Sequence, residues 1–351
     1  MPTRCAGGLK ACGRTARSNP ASEVRTPRPG SADDSAGRSS AACGPRGEYR
    51  SCSCPRVPLA LAVGLRGRRR SVNRERVPCF GHVEYRGEQT QVHYVERGEG
   101  TPILLLHGAG VDHREPLGTM EPAFADLEGY RRIYPDLPGQ GSTPAPESIR
   151  SSDDVLDVLL ELIDGVVGNQ RLLAVGHSAG GYFARAIAHR RPEQVIGLAL
   201  ICPLVEEIRD VPPHALVHRA GLDGGEEKSG DGDAFRDYFV VQTPETLLSY
   251  TLNVAPGADT ADTVALQRIG EQWRLTPGPT EPTSYPGPVL VAAGRQDSVV
   301  GYASQWDLIE AYPRATFAVL DRSGHALPHE QSTLLAALLN EWLRRVEENT
   351  Q

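Results

Sequence analysis

Cysteine is scarce where a fold could use it. Of seven cysteines, five fall in residues 1–78, which leaves Cys79 and Cys202 for everything beyond. Two separated thiols exclude a disulfide framework and any paired-cysteine metal spacing there. A metal-free protein in a reducing, cytoplasmic setting is the expectation. Cys202 ends an apolar run and reads as a small buried hydrophobe. Long apolar runs are also missing. None approaches the ~18 residues that crossing a bilayer requires, so no membrane span is expected. No internal repeat is visible. "GAG" and "PGQG" do not open a helix in a GxGxxG pattern with a matching acid, so no dinucleotide or other cofactor is expected.

Charge is unevenly spread. Residues 1–78 hold 16 Lys and Arg against 5 Asp and Glu, about +11, while the remainder carries about −18. The first part is rich in Arg, Gly, Pro, Ser and Ala, lacks apolar periodicity and reads as a disordered basic tail. It is Arg- and Ser-rich and acid-poor, as targeting peptides are. Its one apolar run, "PLALAVGL" (58–65), nevertheless lies deep and is followed by "RGRRR", the wrong order for a secretory or twin-Arg signal. A nucleic-acid-binding arm is a second reading, unsupported by aromatic interleaving. A third is a translation start near Val72, which would leave the tail outside the working protein. A body at −18 argues against a nucleic-acid partner.

From residue 79 the pattern is that of a folded body. "HVEYRG" and "QVHYVERG" alternate like a hairpin turned at "RGEQ". "TPILLLHG" (101–108), "YRRIYPDLPG" (130–139), "RLLAVGHS" (171–178), "VIGLALIC" (195–202), "GPVLVAAG" (287–294) and "ATFAVLD" (315–321) read as strands, several apolar throughout as in buried parallel sheets. Helices are expected at 151–168, with Ser152 as N-cap, and at 181–191, 302–312 and 330–347. This alternation predicts an α/β protein, mostly parallel, with helices on both faces. Residues 203–286 interrupt it. They carry 14 Asp and Glu against 6 Lys and Arg, with helical pieces near 233–241, 244–253 and 260–273, and read as an insertion between two strands.

"GHSAGG" (176–181) lies between a buried strand and a helix. Gly176 and Gly180 bracket Ser178 where a sharp strand-to-helix turn demands close backbone approach. The turn would lift the Ser178 side chain above the sheet and aim the Ala179 N–H at whatever that oxygen attacks. A serine hydroxyl needs a base and an acid that orients it. "AAGRQDSVV" supplies Asp297 and "LDRSGHALPHE" supplies His325, each just past a strand end. His329 is the rival base and Glu206 the rival acid. "LLLHGAG" offers a second oxyanion donor, the Ala109 N–H, with Gly110 as alternative. His107 is expected to brace that loop, and Asp136 to fix the glycine-pinned loop "DLPGQGST".

Taken in order at strand ends, "HGAG", "DLPGQGST", "GHSAGG", "GRQDSVV" and "GHALPHE" resemble the α/β-hydrolase superfamily over about residues 80–351. The resemblance implies an eight-stranded sheet, a Ser178–Asp297–His325 triad, an oxyanion hole at Ala109 and Ala179, and a helical cap after the sixth strand. The core would then be 79–202 with 287–351, and the cap 203–286. Ser178 departs from the Asp nucleophile of haloalkane dehalogenases and epoxide hydrolases. "HGAG" lacks the proline of the iminopeptidase HGGPG loop. His177 and Ala326 replace the Asn and Trp that flank the nucleophile and base of meta-cleavage carbon–carbon hydrolases. "MEPAFADLEGYRRIYPDLPGQG" resembles bacterial hydrolases that carry no substrate assignment.

The expected pocket is lined by Gly110, His177, Phe235, Phe239, Trp273 and Val299. Its acidic cap argues against a polyanionic substrate, and a neutral, moderately apolar carboxylic ester cleaved through an acyl-Ser178 intermediate is the expected function. The alternatives are hydrolysis of a carbon–carbon bond in a vinylogous diketone and, from another class, ligand binding without catalysis. A small molecule is the partner the sequence points to. A homo-oligomer is compatible with it.

Overall fold

A computed structural model describes residues 79–85, 88–222, 231–278 and 285–350. The segment read as a basic tail, 1–78, and the tip of the first hairpin lie outside the described residues.

Eight strands form one sheet: β1 (Cys79–Tyr85), β2 (Glu88–Arg97), β3 (Thr101–Leu106), β4 (Tyr130–Pro135), β5 (Leu172–His177), β6 (Val195–Ile201), β7 (Val289–Gly294) and β8 (Ala315–Leu320). Their spatial order is β1-β2-β4-β3-β5-β6-β7-β8. The β1–β2 hairpin and the β2–β4 pair are antiparallel and every other pair is parallel. The strand sequences account for these positions. β1 alternates exposed and buried residues, as an edge strand with one wet face must. β5 and β7 are buried at every residue, because helices cover both of their faces.

One face packs under α3 (Ser152–Val166) and α4 (Ala179–Arg190), and the other under α11 (Ser332–Thr350) with α1 (Arg114–Thr119) and α2 (Glu121–Phe124). Trp342 of α11 is fully buried, and its indole N–H donates to the Pro288 carbonyl at 3.1 Å. The N-cap of α3 is Ser151, not Ser152. The Ser151 side chain accepts from Asp154 N at 3.2 Å, while Ser152 is buried as the first helical residue. Both serines offer the same capping chemistry, and tertiary burial selects between them.

Between β6 and β7 the described residues form a two-strand pair, His218–Arg219 with Val241–Gln242, and four helices: α5 (Asp231–Tyr238), α6 (Pro244–Asn253), α7 (Ala255–Thr260) and α8 (Thr263–Gly270). The helix expected over 260–273 is divided. Asp262 caps α8 by accepting from Val264 N and Ala265 N, and Ala261 takes an extended backbone before it. The helix expected at 302–312 is a 3₁₀ turn (Ser304–Asp307) followed by the short α9 (Leu308–Ala311). The closing helix is preceded by a separate turn, α10 (Leu327–Glu330).

Candidate active site

The turn from β5 into α4 is built on close approach. A Cβ on Gly176 would lie 2.2 Å from the Gly180 carbonyl oxygen, and one on Gly180 would lie 2.4 Å from that of Leu106. Ser178 sits between them at φ 53° and ψ −119°, a conformation that L-residues rarely adopt. Such outliers gather at functional turns, where the surrounding structure enforces them.

The predicted partners converge on Ser178. Its hydroxyl lies 2.9 Å from His325 Nε2, and His325 Nδ1 lies 2.9 Å from Asp297 Oδ2. Asp297 Oδ1 accepts from the amides of Val299 and Val300 at 2.9 and 3.0 Å. Burial works against a charge on Asp297, yet His325 and these amides hold its carboxyl below the usual range. An ionised Asp297 fixes the proton on Nδ1 and leaves Nε2 free to accept from the serine. The rivals lie elsewhere. His329 Nδ1 pairs with Ser249 Oγ at 2.8 Å, and burial pushes its imidazole down to about 4. Glu206 faces Arg185 at 3.4 Å.

Of the two candidate donors after β3, the Gly110 amide is engaged by Gln140 Oε1 at 2.6 Å. Among the described residues, the amides of Ala109 and Ala179 donate to no protein acceptor. Two undirected N–H groups beside a serine form what a developing oxyanion requires. His107 accepts from Leu137 N at 2.9 Å and donates from Nδ1 to the Gly108 carbonyl at 2.7 Å, bridging the two loops that follow β3 and β4.

A cavity of about 360 Å³ opens above Ser178 and His325. Gly110, His177 and Val299 line it as expected from the sequence, together with Tyr238, Tyr250 and Val254. Phe235 and Phe239 do not. They are buried against each other and against Tyr250, as the core of the inserted segment. Trp273 is also absent from the lining. It packs on Tyr182 of α4, at 6.0 Å between ring centroids. Large aromatic side chains bury more surface against one another than at a cavity wall, so a cluster shared with Val111 and Ala326 claims the two phenylalanines and the helix layer of the sheet claims Trp273. Tyr238, whose ring lies 6.1 Å from that of His325, and Tyr250 are the aromatics of the inserted segment that reach the cavity.

The sequence reading missed Glu115. It lies on α1, almost fully buried, and lines the cavity. Its Oε1 meets His177 Nδ1 at 2.8 Å and its Oε2 accepts from Gly108 N at 2.8 Å. Burial alone would raise the Glu115 carboxyl, but His177 and the Gly108 amide bring it down to about 2, while Glu115 pulls the buried His177 up. No periodicity marks such a residue. The only signal is a carboxylate a few positions beyond "HGAG".

Among the described residues, two clusters each bring three potential metal ligands within 4.8 Å of one another: His93, His113 and Asp136, and His177, Cys202 and His325. In the first, Asp136 receives both Nδ1 groups at 2.7 Å and the amides of His113 and Ser142, so four donors fill its two oxygens. This fixes the loop after β4. In the second, His325 is engaged by Asp297 and Ser178, and His177 by Glu115 and the His325 carbonyl.

The eight-stranded, mostly parallel sheet and the elbow after β5 define an α/β hydrolase. Residues 103–338 match the alpha/beta hydrolase family, and the chain belongs to it. Among relatives, a 2-hydroxymuconate semialdehyde hydrolase of Pseudomonas putida is 26% identical over 274 residues, 74% of this chain and 92% of that one. A 2-hydroxy-6-oxo-2,4-heptadienoate hydrolase of the same species is 26% identical over 270 residues, 73% of this chain and 93% of its own length. Among solved structures, an alpha/beta superfamily hydrolase of Oenococcus oeni superposes with a TM-score of 0.69 at 29% identity, covering 76% of this chain and 99% of that one.

Proposed function

We propose that this α/β hydrolase is a serine hydrolase that cleaves a neutral, moderately apolar carboxylic ester. The observation that carries the reading is the unbroken relay from Asp297 through His325 to Ser178, beneath a cavity and beside the free amides of Ala109 and Ala179. Ser178 Oγ attacks the ester carbonyl as His325 Nε2 takes its proton, and the carbonyl oxygen becomes an oxyanion held by the two amides. His325 returns the proton to the leaving alkoxide, which departs as alcohol. Water, losing a proton to His325, then attacks the acyl-serine carbonyl. Collapse breaks the acyl–Oγ bond, returns the proton to Oγ and releases the acid.

The segment 203–286 acts as the cap of this site, since Ala234, Tyr238, Tyr250, Val254 and Ala258 contribute to the cavity wall. No Lys or Arg occurs among the described lining residues, and the carboxylate there is Glu115. This favours an uncharged substrate. The second reading, carbon–carbon bond hydrolysis, rests on the similarity to the two Pseudomonas enzymes over nine-tenths of their length.

Intact mass after treatment with a fluorophosphonate tests the serine. One adduct on the wild-type protein and none on Ser178→Ala is expected, and an unlabelled, folded wild type would refute the reading. Turnover of p-nitrophenyl butyrate against that of a 2-hydroxy-6-oxo-dienoate separates the two reactions. Faster turnover of the dienoate would overturn the ester assignment.

A further inference from the structure

We propose that the Glu115–His177 pair is a positioning device that sets the oxyanion amide, the nucleophile and the base relative to one another. The proposal rests on the serine-hydrolase reading. One carboxylate and one imidazole touch all three loops. Glu115 Oε2 holds the amide of Gly108, the residue before Ala109. Glu115 Oε1 holds the ring of His177, the residue before Ser178. His177 Nε2 lies 3.0 Å from the carbonyl oxygen of His325. Each functional group thus sits on, or one residue from, a point fixed by this pair.

The geometry also excludes a proton-transfer role. Both ring nitrogens of His177 face oxygens, a carboxylate and a carbonyl, so both carry hydrogen and neither can accept the proton of Ser178. Its ring lies 5.0 Å from that of His325, close enough for a shift of one to displace the other. The approach is tight elsewhere too. A Cβ on Gly108 would lie 3.1 Å from His177 Nδ1 and 3.5 Å from Ser178 Cβ. Around the pair stand His325 and Asp297 from the loops after β8 and β7, His329 from α10, and Tyr238 from α5. Both side chains are buried and both line the cavity.

A positioning role predicts a particular set of kinetics. Misplacing reacting groups by about an ångström costs on the order of 100-fold in rate. Glu115→Ala and His177→Ala are each expected to lower kcat for p-nitrophenyl butyrate by about 100-fold, with KM changed by less than about threefold. The double variant is expected to be no slower than either single one, because the two residues act as a unit. It removes both buried charges together, so it serves where a single variant folds poorly. Glu115→Gln is the rescue. Its amide oxygen can accept from Gly108 N while its N–H donates to Nδ1 of a neutral His177, which keeps its bond to His325 O. Its kcat is expected within about fivefold of wild type.

Rates are taken per serine titrated with fluorophosphonate, so that loss of folded protein does not imitate loss of positioning. Unchanged kcat in the alanine variants, losses that multiply in the double variant, or a Gln variant as slow as Ala would each overturn the proposal. Failure of the wild type to react with the fluorophosphonate would instead defeat the serine-hydrolase reading itself.

Discussion

The carboxylate of Glu330 accepts a hydrogen bond from the amide of Gly324, the residue before His325, at 2.7 Å. Its other oxygen accepts from Val240 N and Val241 N at 2.7 and 2.9 Å, so the inserted segment and the base loop share one side chain. Burial and the nearby Asp297 push the Glu330 carboxyl from 4.5 up to about 7, against the pull of the three amides.

This shift has a direction in stability. The folded state holds the Glu330 proton more tightly than the unfolded chain does. The associated stabilisation is complete below the unfolded value near 4.5 and is lost as pH rises through about 7. At about 1.4 kcal/mol per pKa unit, its size is roughly 3 kcal/mol. Glu330→Gln cannot titrate. Urea midpoints measured from pH 4 to 8 are expected to show wild-type stability falling relative to Glu330→Gln across that window. Parallel profiles would contradict the assignment.

Ser178 carries backbone strain at φ 53°. Glycine adopts this region freely, whereas alanine does not. Ser178→Gly and Ser178→Ala both lose the proposed nucleophile, and both are expected to be inactive. The Gly variant should be more stable than the Ala variant by about 1 kcal/mol, the usual size of such strain. Thermal melts of the two proteins side by side check this.

Asp297→Asn preserves an acceptor for the amides of Val299 and Val300 but turns an NH₂ group toward His325 Nδ1. The imidazole is then held in the wrong tautomer. A fall in kcat of about 10³–10⁴ with the fold intact is expected, by analogy with other serine triads. Steady-state kinetics with circular dichroism on the same samples measures both parts.

Gly180→Ala places a methyl group 2.4 and 2.5 Å from the carbonyl oxygens of Leu106 and His107. Both obstacles are backbone, so neither can rotate away. A loss of about 3 kcal/mol or more is expected, at the severe end for point substitutions. Expression yield and urea unfolding would reveal it, and a melting curve like that of wild type would refute it.

The sheet was readable because its strands are apolar runs of strand length, punctuated by Gly and Pro. The Ser178, Asp297 and His325 cluster was readable because each residue follows a strand at a turn with its own local chemistry. Residues whose role depends on packing were harder. Phe235, Phe239 and Trp273 look like pocket walls in a sequence, since burial against a cavity and burial within a core leave the same composition. Their assignment needed tertiary packing, among the helices of the insertion for the phenylalanines and against α4 for Trp273. Glu115 was invisible for a related reason. Its partners Gly108 and His177 come from the loop after β3 and the end of β5, and only the parallel pairing of those strands brings them together.

The pairing of β6 with β7 has a wider implication. These two strands are adjacent, with Leu198 opposite Val289, so the chain departs and returns at neighbouring points of a rigid frame. What lies between can be exchanged like a grafted part without moving the strand ends that carry Ser178, Asp297 and His325. The graft is tied to the frame at several points, among them two backbone amides for Glu330, a hydroxyl for His329, and the Leu275 amide that donates to the Tyr182 hydroxyl. Replacing this piece would redraw one wall of the cavity, while Gly110, Val111, Glu115 and Val299 would keep the other.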